Sequence, residues 1–364
     1  MRSVKTELNQ DMYDIAVVGA GPAGATFARL AAAQYRVLVL DKKTDAPGSF
    51  HKPCGGLLSP DAQKALSRFD LTLPKEVLVD PQIFSVKTID LATGLTRHYQ
   101  RFYANLDRHK FDRWLQSLIP PQADCVTGQC TAVKRDGDGF RLSCRLADGE
   151  MREYRARALV GADGAGSLVR RAFFPQKQIR RYVAIQQWFP ETHRSPFYSC
   201  VFDPETSDCC SWSISKDHYF IFGGAFAPKG CRESFERQKE KLQAFGFQFG
   251  EPLRTEACQV LRPSSPRAFC TGEGDVFLIG EAAGFISPSS LEGFSWAIQS
   301  GTMLAEALAP GFAGAAARYR RKTRALRVRL TGKMLKCPFM YRPALRRLVM
   351  ESGVGSIRLY GEKK

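Results

Sequence analysis

Apolar residues in this chain come in short runs set between turn-forming clusters, and the spacing of those runs changes from strand-like to helix-like and back several times. Tyr13 to Val18 is an apolar run of buried-strand length, and Ala25 to Ala33 continues as a helix. Arg36 to Leu40 is a second apolar strand, and Lys42 to Phe50 is a polar, turn-rich loop. Ser59 to Phe69 reads as a helix in which Ser59 caps and Pro60 occupies the first turn. Ile83 to Thr88 and Leu95 to Phe102 alternate like paired strands. Lys110 to Leu118 is a helix with Phe111, Trp114, Leu115 and Leu118 on one face. Cys125 to Cys144 and Met151 to Leu159 form a meander, Tyr182 to Phe226 is strand-like throughout, and Glu233 to Phe245 is an amphipathic helix. Asp275 to Ile279 is a last buried strand, and a helix follows over Leu291 to Ala309.

Three glycine-rich segments sit at the ends of these strands: Gly19-Ala20-Gly21-Pro22-Ala23-Gly24, Gly161-Ala162-Asp163-Gly164 and Gly280-Glu281-Ala282-Ala283-Gly284. In the first, strand, tight turn and helix occur in the order that brings free helix N–H groups to a pyrophosphate. Gly19, Gly21 and Gly24, with Ala23 among them, let the backbone approach the phosphates. Asp41 follows about twenty residues on, where a carboxylate accepts from ribose hydroxyls, with Lys42 beside it. A turn of this kind alone leaves NAD and FAD open. The strand leading into Gly280 to Gly284 decides for FAD, because a second cradle so far along the chain suits a cofactor whose other half needs its own turn.

These segments, with Arg108-x-x-Phe111-Asp112, resemble the FAD-binding set of the para-hydroxybenzoate hydroxylase-like flavoproteins. Lys52-Pro53-Cys54-Gly55-Gly56-Leu57 and the segment around Trp212 resemble the geranylgeranyl reductase family, and the overall run is most similar to its bacterial CbrA-like branch of FAD-dependent oxidoreductases. The resemblance covers roughly residues 12 to 310. It implies an α/β fold with α+β elements, in which a Rossmann-like FAD-binding domain carries an inserted antiparallel-sheet substrate domain and a helical C-terminal tail. The expected FAD-binding segments are 12–80, 105–180 and 266–310. Residues 81–104 and 181–265 are expected to form the substrate domain, and 311–364 a basic helical region.

The same resemblance places Arg108 on the FAD phosphates, Asp163 near the cofactor, and the acid of the third segment, here Glu281 in place of the usual aspartate, at a ribityl hydroxyl. Gly280, Gly284 and Gly293 complete the cofactor set, and the helix over Leu291 to Ala309, preceded by Pro288 and Ser289-Ser290, is expected to turn its N-terminus to the flavin. Many relatives have a Thr-Gly-Glu-Gly type of turn here, so Leu291 would narrow the passage beside the ring. Cys54 is the candidate catalytic residue, as a proton donor to an alkene carbon while flavin N5 gives hydride to the other. Lys52, Gly55 and Gly56 are expected around it, with Lys52 either lowering the thiol's pKa or binding an anionic head group. Trp188, Trp212, Phe197, Tyr198, Phe220 and Phe222 would make an aromatic cavity, or else ordinary core. In Cys210-Ser211-Trp212-Ser213-Ile214-Ser215 only the tryptophan matches the family's Tyr-x-Trp-x-Phe-Pro element. Cys210 and Ser215 also replace the first tryptophan and the proline of the halogenase element, which speaks against halogenation.

The expected activity is reduction of C=C bonds in an isoprenoid or prenyl lipid. The alternatives are a class A flavin monooxygenase acting on a hydrophobic substrate and a flavin-containing lipid-binding or redox-sensing protein at the membrane surface. No second nicotinamide fingerprint appears, so NAD(P)H, ferredoxin and quinol all stand as electron donors.

Composition adds a constraint at the C-terminus. The chain of 364 residues has a formal net charge of +17, and Pro310 to Met350 contains twelve arginines and lysines with no acid. Apolar residues interleave with the cations over 318–348, as in helices that rest on an anionic bilayer; the plain alternative is a solvated helix covering the cofactor domain. No nucleic-acid module is recognisable. No apolar run approaches the roughly eighteen residues of a spanning helix, and Met1 to Asp11 lacks a signal-peptide core. The expectation is a cytoplasmic protein, peripheral on the inner face of the cell membrane. Eleven cysteines without CxxC pairs or metal spacing argue for neither a disulfide framework nor a metal site.

Overall fold

The computed structural model describes residues 12–46, 51–193 and 195–360. The expectation for Met1 to Asp11 and the last four residues of the loop ending at Phe50 lie outside them. Two sheets organise the chain. The first has a parallel core in the order Val276–Leu278, Met151–Gly161, Met12–Val18, Val37–Asp41, Asp124–Asp136. The last two thirds of Asp124–Asp136 leave this core to pair antiparallel with Gly139–Leu146, which returns to Met151–Gly161 and so closes the path. Ile15 to Val18 and Val37 to Leu40 are all buried, as continuous apolar runs in a parallel sheet covered on both faces must be.

Helix Pro22–Ala31 covers this sheet and packs against helix Phe294–Leu308. It begins three residues ahead of the expected start, because Pro22 fixes the dihedral of the first turn while Gly21 stays extended as its cap. Helix Phe294–Leu308 begins three residues after the expected Leu291. Leu291 has a left-handed φ of 55°, and the Glu292 carboxylate accepts from the Ser295 N–H at 2.8 Å, which sets the first turn there.

The second sheet runs Arg254–Arg262, Arg180–Pro190, Tyr219–Phe226, Cys210–Lys216, Tyr198–Phe202, Ile83–Asp90, Thr96–Asn105, Ser356–Ile357, with Leu57–Leu58 also paired to Thr96–Asn105. Within it only Tyr198–Phe202 and Ile83–Asp90 run parallel. The strand-like stretch from Tyr182 to Phe226 is thus four strands, and Arg254–Arg262 is a fifth that charged residues hide from a hydrophobic pattern. Helix Cys231–Gln243 covers one face through Phe235 and Leu242. The other face looks toward the glycine turns of the first sheet.

Beyond residue 310 the chain forms helices Ala315–Lys322, Arg324–Met334, Cys337–Tyr341 and Pro343–Ser352. Among the described residues no helix is long and apolar enough to cross a membrane. All eleven cysteines are unpaired.

Candidate active site

A cavity of about 870 Å³ runs between the two sheets and is lined in part by all three glycine turns. At the first turn, a side chain on Gly24 would run into the Gly19 carbonyl, so this glycine brings helix and strand together and does not itself line the cavity. Gly21, Pro22 and Ala23 do line it, at the N-terminus of a ten-residue helix whose first N–H groups have no intrahelical acceptor. Asp41 accepts from the Ala20 N–H and, at 2.7 Å, from the Lys43 N–H, which fixes its carboxylate at the cavity wall beside Lys42.

Lys43 and Arg108 converge on Asp112, at 2.9 Å each. Burial alone would raise the Asp112 carboxyl, but the two cations outweigh it and hold the group below the usual carboxylate range. The Arg108 guanidinium also lies 4.7 Å over the Phe294 ring and lines the cavity. Lys43 escaped the sequence reading because its partner is far along the chain. Asp163 accepts from the Leu168 N–H at 2.6 Å with one oxygen, while the other is buried beside the cavity with no partner among the described residues. Burial pushes this carboxyl above its ordinary value. An anion-ready helix end, a fixed ribose acceptor, two cations and an orphaned acceptor are what FAD requires of a cradle, and these residues fit it.

The middle of the cavity is held by an ion pair. Lys52 Nζ donates to Glu281 at 2.6 Å, and the other Glu281 oxygen accepts from the Leu261 N–H at 2.9 Å. Glutamate in place of aspartate thus reaches the loop carrying Cys54. The third segment enters the cavity through Gly280 and Glu281, whereas Gly284 does not line it. Gly284 closes the turn with φ 82°, packed against Ile179 and Ala268.

Cys54 Sγ accepts from the Gly56 N–H at 3.3 Å and lies beside Arg108. Gly56 adopts φ 61°, and a side chain there would meet the Leu106 carbonyl and Lys216 Nζ, so the loop turns where only glycine fits. Behind it, Lys216 Nζ donates to Asn105 Oδ1 and the Leu106 carbonyl, both at 2.7 Å, and burial pushes the amine down to about 8. Cys258 shares the cavity wall, its thiol pushed up to about 11 by burial.

Trp212 lies 3.6 Å from the position a Gly55 side chain would take, packs over Gly223, and donates to Gln186 at 3.2 Å. Tyr198 and Tyr103, rings edge-on at 6.1 Å, continue the lining away from Cys54. Leu291 and Gly293 border it as well. The remaining expected aromatics are not in the cavity. Phe220 and Phe222 point to the opposite face of their strand, where they pack with Phe235 and Phe249 beneath helix Cys231–Gln243. Phe197 packs on His98. Trp188 is on the cavity-facing side of the sheet but lies outside the lining, donating to Glu256 at 2.8 Å beneath Arg254.

Comparison with known proteins agrees with this geometry. An FAD binding domain family matches residues 126–326, and an NAD(P)-binding Rossmann-like domain matches 17–52. Protein CbrA of Escherichia coli O9:H4 is 51% identical over 347 residues, covering 95% of this chain and 94% of that protein. Protein CbrA of Escherichia coli K12 is 50% identical over 347 residues, with 95% and 98% covered. Among solved structures, a geranylgeranyl bacteriochlorophyll reductase-like protein from Thermoplasma acidophilum superposes with TM-score 0.78 at 18% identity, covering 97% of this chain and 94% of that one. PqsL, a probable FAD-dependent monooxygenase from Pseudomonas aeruginosa, gives 0.67 at 18%, covering 94% and 100%. At such identities the two structures share the fold.

Proposed function

The chain belongs to the CbrA-like branch of the geranylgeranyl reductase group of FAD-dependent oxidoreductases, and from that premise we propose that it saturates C=C bonds of an isoprenoid or prenyl lipid. FAD-dependent oxidation–reduction on a hydrophobic substrate is common to the group; the finer reading rests on one observation. Cys54, the thiol beside Arg108, stands where the FAD cradle passes into a channel lined by Trp212, Tyr198 and Tyr103. Reduced FAD, when bound, supplies hydride. Cys54 holds a proton for the second alkene carbon, the aromatic walls exclude water and align an extended apolar chain, and Arg108 with Lys43 neutralises the cofactor's phosphates. Electrons come from an external donor, NAD(P)H, ferredoxin or quinol.

The test is anaerobic. With the flavin of the purified holoprotein reduced, geranylgeranyl or undecaprenyl lipids are expected to reoxidise it and yield a product heavier by two hydrogens per saturated bond. Reoxidation only after oxygen is admitted, with a hydroxylated product, would assign the monooxygenase reading instead. Cys54→Ala is expected to slow anaerobic turnover by about 10²-fold or more. Unchanged turnover would return the thiol to a packing role.

A further inference from the structure

We propose that the exposed face of the basic C-terminal helices, which reach the cavity through Lys333, docks on an anionic bilayer. The chain of neighbours runs from Cys54 through Tyr198 to Tyr103, and Tyr103 lies near Arg101 and Glu292. Glu292 is itself near Lys333 and Asp61. Arg101, Asp61, Glu292 and Lys333 all line the cavity, so a strand of the second sheet and the basic helix Arg324–Met334 both contribute to its wall.

The outer surface of these C-terminal helices is unlike a solvated helix cover. Such a cover turns its large apolar residues inward, as Leu326 and Leu330 do here. Val328, Leu335, Phe339 and Leu348 instead stand in solvent at 64%, 74%, 54% and 65% exposure. Arg324, Lys336 and Arg342 are exposed in the same segment, which has no acid from residue 310 to 350. Phe102, on the strand that carries the cavity-lining Arg101 and Tyr103, is 55% exposed as well. Arg346 is engaged inward on Asp90, whereas Lys322 on Glu306 and Arg347 on Glu351 form exposed pairs. Exposed cations attract an anionic surface and exposed apolar side chains enter its acyl boundary; a face with both matches a bilayer of anionic lipid. No described helix crosses the membrane, so the contact is peripheral. The docking deepens the preceding reading, since a prenyl lipid would pass from bilayer to cavity without crossing water, yet binding is measured without turnover.

The experiment is sedimentation of the full-length holoprotein with vesicles of phosphatidylglycerol and phosphatidylcholine, or of phosphatidylcholine alone, at about 0.1 M and 0.5 M salt. Binding is expected on the anionic vesicles at low salt, with loss at high salt and little on the neutral ones. The double variants Leu335→Ser/Phe339→Ser and Lys336→Glu/Arg342→Glu should each lower vesicle partitioning about tenfold or more. Both should keep their flavin absorbance, melting temperature and turnover on detergent-dispersed lipid. Equal binding to neutral vesicles, unaltered partitioning of both variants, or retention on duplex DNA as strong as on anionic vesicles would overturn the docking face. Vesicle binding without any prenyl turnover would remove the reductase reading and leave the docking intact, and turnover without vesicle binding would do the reverse.

Discussion

Glu281 carries the clearest departure from the family pattern, and its surroundings give the longer side chain a purpose. One oxygen holds the Leu261 backbone and the other holds Lys52, 229 residues earlier in the chain, so the carboxylate ties the Cys54 loop to the flavin cradle. Glu281→Gln keeps an acceptor for Leu261 but removes the charge facing Lys52. It is expected to cost about 1–3 kcal/mol of stability and to speed alkylation of Cys54 by iodoacetamide about tenfold, with flavin affinity changed less than about threefold. A tenfold loss of flavin affinity at unchanged alkylation would instead make Glu281 a cofactor ligand. The glutamate is visible in the sequence as a substitution; its partner is not, because nothing local connects positions 52 and 281.

The strand Tyr219–Phe226 shows what alternation can and cannot say. Its residues divide cleanly into two faces, Phe220, Phe222 and Phe226 on one and Ile221, Gly223 and Ala225 on the other. The face rich in phenylalanine looks like the natural wall for an apolar ligand, yet it is the one sealed by helix Cys231–Gln243. The small residues face the cavity and make room for Trp212 from the neighbouring strand. Phe222→Ala is therefore expected to lose about 3–5 kcal/mol in denaturant unfolding while leaving the KM for lipid unchanged. Trp212→Ala is expected to raise that KM at least several-fold with a smaller loss of stability. If Phe222→Ala alone shifted KM, the assignment of the two faces would be reversed.

Across the molecule, the C-terminal helices act as a strap between the two sheets. The Tyr319 hydroxyl donates to the Leu278 carbonyl of the first sheet at 3.0 Å, and the Tyr341 hydroxyl donates to Ser289, just ahead of helix Phe294–Leu308, at 2.6 Å. Arg346 pairs with Asp90 of the second sheet at 2.7 Å, both side chains being nearly inaccessible. Arg346→Met strands a buried carboxylate and is expected to destabilise the protein by about 3–5 kcal/mol, read from the midpoint of urea unfolding. A loss under about 1 kcal/mol would mean that the C-terminal region folds independently of the second sheet.

Several features of this protein are legible along the chain because the physics behind them is local. A glycine turn between a buried strand and a helix makes a phosphate site from about six consecutive residues, so the three turns and Asp41 could be read in order, and FAD with them. Cys54 and Trp212 stand out instead by the resemblance of their short segments to the geranylgeranyl reductase family. Tertiary structure decided the rest: which face of the second sheet meets the cavity, the Lys43–Asp112–Arg108 and Lys52–Glu281 pairings, and the arrival of Lys333 in the cavity lining. These depend on side chains brought together from distant positions, and a sheet's alternation is symmetric between its faces until a helix packs on one of them.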